Sequence, residues 1–598
     1  MSSLLRYAER TGKRLRSTIA RIRHTVGERE LSKRLVLGAI VGSLAVLTVV
    51  PLLFLLWTSL WSGFPGQLDA AFTLENFVSV YVERSYDVAE LFGNSLFIAV
   101  GMTAVAVSFG LSFAWLLTRT NLPTKGLMEL VILSPYAVPV YIYAIMYITT
   151  YGPEHGVVSA YVTSFLGVES APYNIFSPWG IAFVVGIKAM TTVYLLTAPA
   201  LQNMDPSLEE AGRVHGADIL TTIRSISFPL ILPAILSAIL VTFLRGLGEF
   251  SVVAILGARE GFDVYATAIW ESIRLQVPPR YGEAAALAFS LLLVCVVLVW
   301  YYRRVTSRKQ DYMTVTGQGY QPKTWDLGVW RWPAAAALWL VLVVVWLLPM
   351  AVMALVSLHT VWTGQPDLAS LSLTHYAEAL TDDRLRASFS NSVIVSVAGA
   401  TLGTVLVVGM AYYTERTSFR GRGLVDFLSL TPMAIPGIIL GGSVLFTFIW
   451  AGNLFPFLNL YGTLWVIVIG SVLVFIPISS RIAVGNIVQI HSELEESARV
   501  TGASWFQQMR SVFLPLFKDT GAVIWFYFMI QIFHLLTIPI MTYQAGTEVI
   551  AVDVFLLYTR EANIELVSAI STIFIGLTLV ALLGFRAFGK TFYDLGPR

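Results

Sequence analysis

Twelve apolar stretches of bilayer-spanning length run along this sequence: 35–60, 94–117, 127–150, 178–202, 228–257, 284–302, 333–358, 391–413, 424–450, 462–483, 513–540 and 564–587. A helix crosses bilayer hydrocarbon with about 20 mostly apolar residues. In lipid the backbone must satisfy its own N–H and C=O groups, which leaves helices or closed barrels. Charge content points the same way: 13% of the 598 residues are charged, against roughly 25% in soluble chains. The predicted fold is an all-α polytopic membrane protein of about 12 transmembrane helices. The fifth and eleventh stretches are interrupted or overlong, so their limits are the least defined.

Basic residues alternate between the connections. Ten Lys and Arg crowd the first 34 residues, among them Arg6, Lys13, Arg14, Arg16 and Arg34. Arg119 and Lys125 flank the turn after the second stretch, Arg303, Arg304, Arg308, Lys309 and Lys323 the middle connection, and Arg416, Arg420 and Arg422 a later turn. The segment 151–177 has no Lys or Arg. The positive-inside rule places both termini of a multi-pass membrane protein in the cytosol. The net charge of +2 carries no nucleic-acid signature. The single Cys295 rules out a disulfide within the chain and any cysteine-based metal site. The expected organisation is a basic cytosolic arm 1–34 near anionic lipid, a first half 35–305, a cytosolic linker 306–331, a second half 332–588 and a cytosolic tail 589–598.

The two halves repeat. Phe92-Gly-Asn94-Ser95 matches Phe389-Ser-Asn391-Ser392, Arg119-Thr120 matches Arg416-Thr417, and Pro135 and Pro139 match Pro432 and Pro436, each 297 residues apart. A polar loop also occurs twice: EEAGRVHGADILTTIRSISFPL around Glu210 and EESARVTGASWFQQMRSVFLPL around Glu496, 286 residues apart without a gap. The 11 extra residues of the first half are expected in 151–177. Six spans per half give both halves one orientation, as parallel repeats about an axis along the membrane normal. A pathway along that axis is the expected consequence.

Each loop predicts a short helix, a glycine turn and a second helix. Asp205-Pro206 is a helix start, Gly216 and Gly502 are left-handed stops, Asp218 and Ser504 cap the next helix, and Pro229 and Pro515 open the following span. A polar loop present twice on one side of a membrane predicts docking to a partner with two equivalent sites.

With these residues in view, the loops resemble the signature loop of the membrane subunits of binding-protein-dependent ABC importers: Glu210, Ala211, Gly216, Ala217, Ile226 and Pro229 in one copy, Glu496, Ala498, Gly502, Ala503, Val512 and Pro515 in the other. Gly212 and Ser497 stand where the family has alanine. The chain as a whole is similar to two such permeases fused, of the type I importer fold. Val315–Tyr320, Gly261–Thr267 and Pro432–Gly437 resemble the fused ferric-iron permeases; permeases for polyamines, thiamine, phosphonates and sulfate share much of the pattern. The resemblance implies that the loops are coupling helices seated on two cytosolic ABC ATPase subunits. It also implies delivery of substrate by an extracytoplasmic solute-binding protein, with ATP and Mg handled by the partner subunits and no cofactor on this chain. No catalytic or metal-ligating residue is assigned. A competing class, the ion-gradient-driven secondary transporter, is also commonly built as two parallel six-span halves.

Within the spans, Arg245 and Glu249 are four apart on one helical face. Intramembrane charges face the bundle interior, so the two read either as an internal ion pair or as part of the pathway. Their second-half equivalents, Gln531 and Leu535, are uncharged. Lys188 reads as a snorkelling charge and His534 as a satisfied bundle histidine. Pro135, Pro139, Pro432 and Pro436 interrupt the third and ninth stretches, either as plain kinks or as broken helices lining a cavity. Gly584–Thr591 matches a phosphate-loop expression but lacks the strand, helix and nucleotide fold such a loop needs; ATP binding is not assigned to it.

Overall fold

In a computed structural model, the described residues are 35–63, 71–307, 324–417, 421–456 and 459–587. The arm 1–34, the tail 589–598, the stretch Val315–Tyr320 and the last four residues of the phosphate-loop match lie outside them. Among the described residues eight helices are long and apolar enough to cross a membrane, and three sharply bent helix pairs raise the number to eleven. The twelfth stretch is the helix Ile564–Ala587. Among the described residues the fold is all-α, and the two halves repeat matching elements.

The third and ninth stretches are not straight spans. Lys125–Leu133 tightens into the 3-10 turn Ser134–Ala137, and the chain bends by 110° before Val140–Tyr151. Arg422–Leu430 and Thr431–Ala434 bend by 111° into Gly437–Leu454. The bend sits at the residue before a proline. Val138 (φ −111°, ψ 129°) and Ile435 (φ −108°, ψ 123°) are extended, because proline's Cδ clashes with a helical predecessor.

The fifth and eleventh stretches differ from one another. Ile219–Leu230 and Leu232–Leu247 meet at 75°, whereas Trp505–Phe533 passes as one span of 29 residues. Pro233 stands just beyond the first-half bend; the matching position is Asp519. Both stretches then break again, restarting as Ser251–Leu256 and Thr537–Thr542.

The halves embrace. The opening helix of the second half, Gly328–Val356, lies on Val140–Tyr151 of the first. Trp346 stacks on Tyr143 with centroids 5.0 Å apart. Pro349 has no N–H, which leaves the carbonyl of Val345, four residues back, without its helical donor. Tyr147 Oη donates to that carbonyl at 2.8 Å, and Tyr151 Oη to Val344 O at 2.5 Å. In reverse, the first-half helix Leu35–Ser59 meets the second half, where Trp450 Nε1 donates to Thr58 Oγ1 at 3.2 Å. Lipid offers no hydrophobic drive between helices, so such packing and hydrogen bonds, about 0.6 kcal/mol each on average, hold the halves together.

The repeated Asn-Ser pairs clamp matching elements. Asn94 donates to Asp263 O and Asn391 to Glu548 O, both at 2.9 Å. The N–H groups of Tyr265 and Ile550 donate to Ser95 and Ser392. These clamps sit near one end of the long helices Ser85–Arg119 and Asp383–Arg416. The repeated loops sit at the other, about 36 Å along the helix from Ser95 to Arg119 and from Ser392 to Arg416.

Candidate functional site

Each repeated loop has the predicted order. The first is Pro206–Val214, then Gly216 at φ +85°, then Ile219–Thr222. The second is Glu493–Val500, Gly502 at φ +86° and Trp505–Gln508. Ala217 N–H donates to Gly212 O at 3.0 Å and Ala503 N–H to Ala498 O at 3.1 Å. This closing bond requires a left-handed residue between, which glycine adopts without a Cβ penalty. Asp205 accepts from Ser207 N–H, Asp218 caps at Thr221 N–H, and Ser504 caps at Gln507 N–H.

Pro229 and Pro515 occupy the second position of the α-helical segments that follow, but those segments do not begin afresh. Five-residue π turns, Ile223–Ser227 and Met509–Phe513, join them to the short helices without a break. The wider turn precedes a residue that has no N–H to offer.

The loop surfaces carry matched apolar side chains. Val214 is 84% exposed and its equivalent Val500 88%. Leu208 and Leu494, and Leu220 and Phe506, are exposed pairs at the same offset. Glu496 and Ala211 lie at the surface with them, Glu210 and Ala498 half-buried.

Sequence reasoning missed the residues that anchor these loops. Arg119 Nε lies 3.7 Å from Glu209 Oε1, and Arg416 Nε 3.4 Å from Glu495 Oε1. All four side chains are buried or nearly so. Arg119 also donates to Met204 O at 3.0 Å, and Arg416 to Ile487 O at 3.0 Å and to Ile490 O. Ser227 Oγ donates to Glu209 at 2.7 Å, and Tyr412 Oη to Glu495 at 3.1 Å. The signal was present: Arg119 and Arg416 belong to the mirrored Arg-Thr pairs, and Glu209 and Glu495 repeat at the loop's own offset. Read as markers of orientation, the arginines in fact fasten each loop helix to the end of a long helix.

Between the halves lies a cavity of about 340 Å³. The bent spans deliver Tyr136, Val138 and Pro139 from one half and Pro432, Ile435 and Pro436 from the other. Pro135 stays behind the wall, its carbonyl accepting from Lys188 Nζ at 2.7 Å. Lys188 also donates to Val138 O. It does not snorkel to an interface; it caps the carbonyls that the bend leaves free. Arg245 and Glu249 both line the cavity, yet no ion pair joins them. Arg245 Nη1 donates to Thr192 Oγ1 at 3.2 Å, and Glu249 accepts from Val252 N–H at 3.1 Å, capping Ser251–Leu256. His534, buried, is 2.9 Å from Thr578 Oγ1. Gly248 faces Pro436 so closely that a Cβ there would overlap the proline ring.

The model of the binding-protein-dependent transport system inner membrane component matches residues 106–311. A probable ABC transporter permease protein of Sinorhizobium fredii is 26% identical over 82% of this chain and 84% of its own length. Residues 106–311 carry the permease domain of the binding-protein-dependent importers. A putative ferric transport system permease protein of Haemophilus influenzae is 27% identical to the permease over 73% of this chain and 67% of its own length. A sulfate transport system permease protein of Salmonella typhimurium is 27% identical over 33% of this chain and 70% of its own length. The matched segment of the permease holds the first repeated loop, Arg119, Lys188, Arg245 and Glu249. The permease is the multi-pass transport component of an importer.

Proposed function

We propose that the permease carries ferric iron inward, driven by two cytosolic ABC ATPase subunits and fed by an external binding protein. The observation that carries this reading is the pair of equivalent loops. Each has a left-handed glycine at its tip and a matched valine standing in solvent, which suits two copies of one cleft-bearing partner. ATP and Mg belong to those partners. The ferric assignment rests on the ferric relatives that match most of the chain. The shorter match to sulfate permeases supports sulfate as the second reading.

ATPase closure moves Pro206–Val214 and Glu493–Val500 together. Glu209–Arg119 and Glu495–Arg416 pass that motion to the long helices, whose far ends hold the Ser95 and Ser392 clamps. The central cavity, walled by the two bends and by Gly248 against Pro436, opens and closes between them. Both termini and both loops are cytosolic in this scheme. The arm 1–34 and the linker 306–331 flank the first half 35–305, and the second half 332–588 leads into the tail 589–598.

Proteoliposomes holding the permease, its ATPases and the binding protein loaded with radioactive iron test the reading. Iron accumulation that requires ATP and the binding protein is expected. Sulfate accumulation instead selects the second cargo. Uptake by the permease alone under an ion gradient overturns the ABC mechanism.

A further inference from the structure

The charged lining of the central cavity comes from one half. Lys188, Thr192, Arg245 and Glu249 of the first half have Val474, Ile478, Gln531 and Leu535 as their second-half equivalents, and all eight line the same cavity. The chemistry they present is one-sided. Arg245 is exposed within the bundle. Its planar fork donates from Nη1 to Thr192 Oγ1, and a guanidinium has five N–H donors. Lys188 Nζ has three donors and gives two of them to the carbonyls of Pro135 and Val138. Gln531 Nε2, at the position matching Arg245, donates to Tyr136 Oη at 3.2 Å. Glu249 is the one carboxylate among the described residues of the lining, and it is engaged at the N-terminus of Ser251–Leu256, where the helix dipole and free N–H groups offset its charge.

Two cations and a set of N–H and O–H donors therefore face a space in which the carboxylate of Glu249 is already engaged. A bare trivalent cation would meet like charge there, in a region of low dielectric where repulsion is strong. An oxygen-rich anion meets what its geometry asks for, a planar fork with a hydroxyl and an ammonium beside it. We propose that the central cavity binds a multivalent oxyanion, either free or as the ligand shell of a ferric ion, on Arg245 flanked by Thr192 and Lys188. The proposal deepens the functional reading above, since it rests on this cavity being the transport path. It assigns the cargo's charge: what crosses is an anion or an anionic complex.

Arginine protection tests the site without any partner protein. The full-length permease in lipid nanodiscs is treated with phenylglyoxal, and modification of Arg245 is followed by peptide mass spectrometry. The probes are sulfate, inorganic phosphate, citrate, ferric citrate and the inert trivalent cation hexaamminecobalt(III). Protection of Arg245 by fivefold or more is expected from at least one anion or from ferric citrate, and none from hexaamminecobalt(III). Protection by sulfate or phosphate identifies a free oxyanion. Protection by ferric citrate but not citrate identifies the ferric complex. Thr192→Val, which removes one hydroxyl and leaves the helix intact, should weaken the protection at least threefold. Equal modification in every condition overturns the proposal, as does protection by hexaamminecobalt(III) or an Arg245 that never reacts. In the reconstituted importer Arg245→Gln should lower uptake at least tenfold and Arg245→Lys much less; full uptake by Arg245→Gln also overturns it. Because the protection assay contains no ATPase, it can fail while ATP-driven uptake stands, and the reverse.

Discussion

Arg416 holds Glu495 at 3.4 Å beneath the second repeated loop, as Arg119 holds Glu209 at 3.7 Å beneath the first. The third partner differs between the copies. Ser227 donates to Glu209, whereas its equivalent Phe513 lies edge-on to Tyr412, which donates to Glu495. In the first half the position of Tyr412 is Trp115. Hydroxyl and aromatic ring have exchanged places while the ion pair is retained.

Removing one member of a buried ion pair strands the other and costs roughly 3–5 kcal/mol, whereas replacing both by apolar groups is often neutral. Glu495→Gln and Arg416→Met should each lower the thermal unfolding temperature of the purified permease markedly. The double variant Arg416→Met, Glu495→Leu should recover most of the loss. ATP-driven uptake should stay low in the double variant, because the loop is no longer fastened to the long helix. Stability that falls additively would show that the two side chains act independently.

Gly216 and Gly502 sit in the left-handed region, where a β-branched residue adds strain of roughly 1–2 kcal/mol. Gly216→Val and Gly502→Val should insert into the membrane in near-normal amounts but lose most ATP-coupled transport. Membrane insertion is read by quantitative blotting, coupling by substrate-stimulated ATP hydrolysis. Wild-type coupling in the double variant would remove the loops from the mechanism.

The orientation of the loops is checked by labelling. In a Cys295→Ala background, cysteine at Gly216 or Gly502 should resist an impermeant maleimide added to intact cells, while cysteine at the exposed Glu169 should react. Labelling of either glycine position from outside would invert the topology.

Lys188 caps the carbonyls of Pro135 and Val138. Lys188→Met should leave them unsatisfied and destabilise the fold by about 1–3 kcal/mol, read as a lower midpoint of thermal unfolding. Arg245→Gln and Glu249→Gln, by contrast, should affect stability additively, since each has its own partner. A coupling energy between them as large as that of a buried pair would contradict the separate contacts.

Glu271 lies on the short helix Tyr265–Arg274, outside the spans. Burial, reinforced by the negative Asp263, pushes its carboxyl up to about 7 from 4.5. The folded state therefore keeps this proton at a pH where the unfolded chain has released it. Its contribution to stability should be greatest below about pH 4.5 and should fall as pH rises through 7. Glu271→Gln should flatten the decline of unfolding temperature between pH 5 and 8; an unchanged slope would assign the decline to other groups.

The sequence by itself determined the all-helical membrane class, the two-fold repeat and the shape of the loops. Span length is set by bilayer thickness. A glycine between a helix and a capping Asp218 or Ser504 is a local signal that needs no distant partner. The X-Pro bends were legible as interruptions, but not their direction or angle. Only the tertiary structure decided which charges meet. Arg245 and Glu249 share a helical face, and spacing alone favoured a pair; a break at Gly248 instead turned Glu249 into the cap of a new helix. Glu209 and Arg119 are 90 residues apart (209−119), and only packing of the loop under the long helix brings them together. Charge partners separated by whole spans are fixed by how helices cross, and that is written in no local window of the chain.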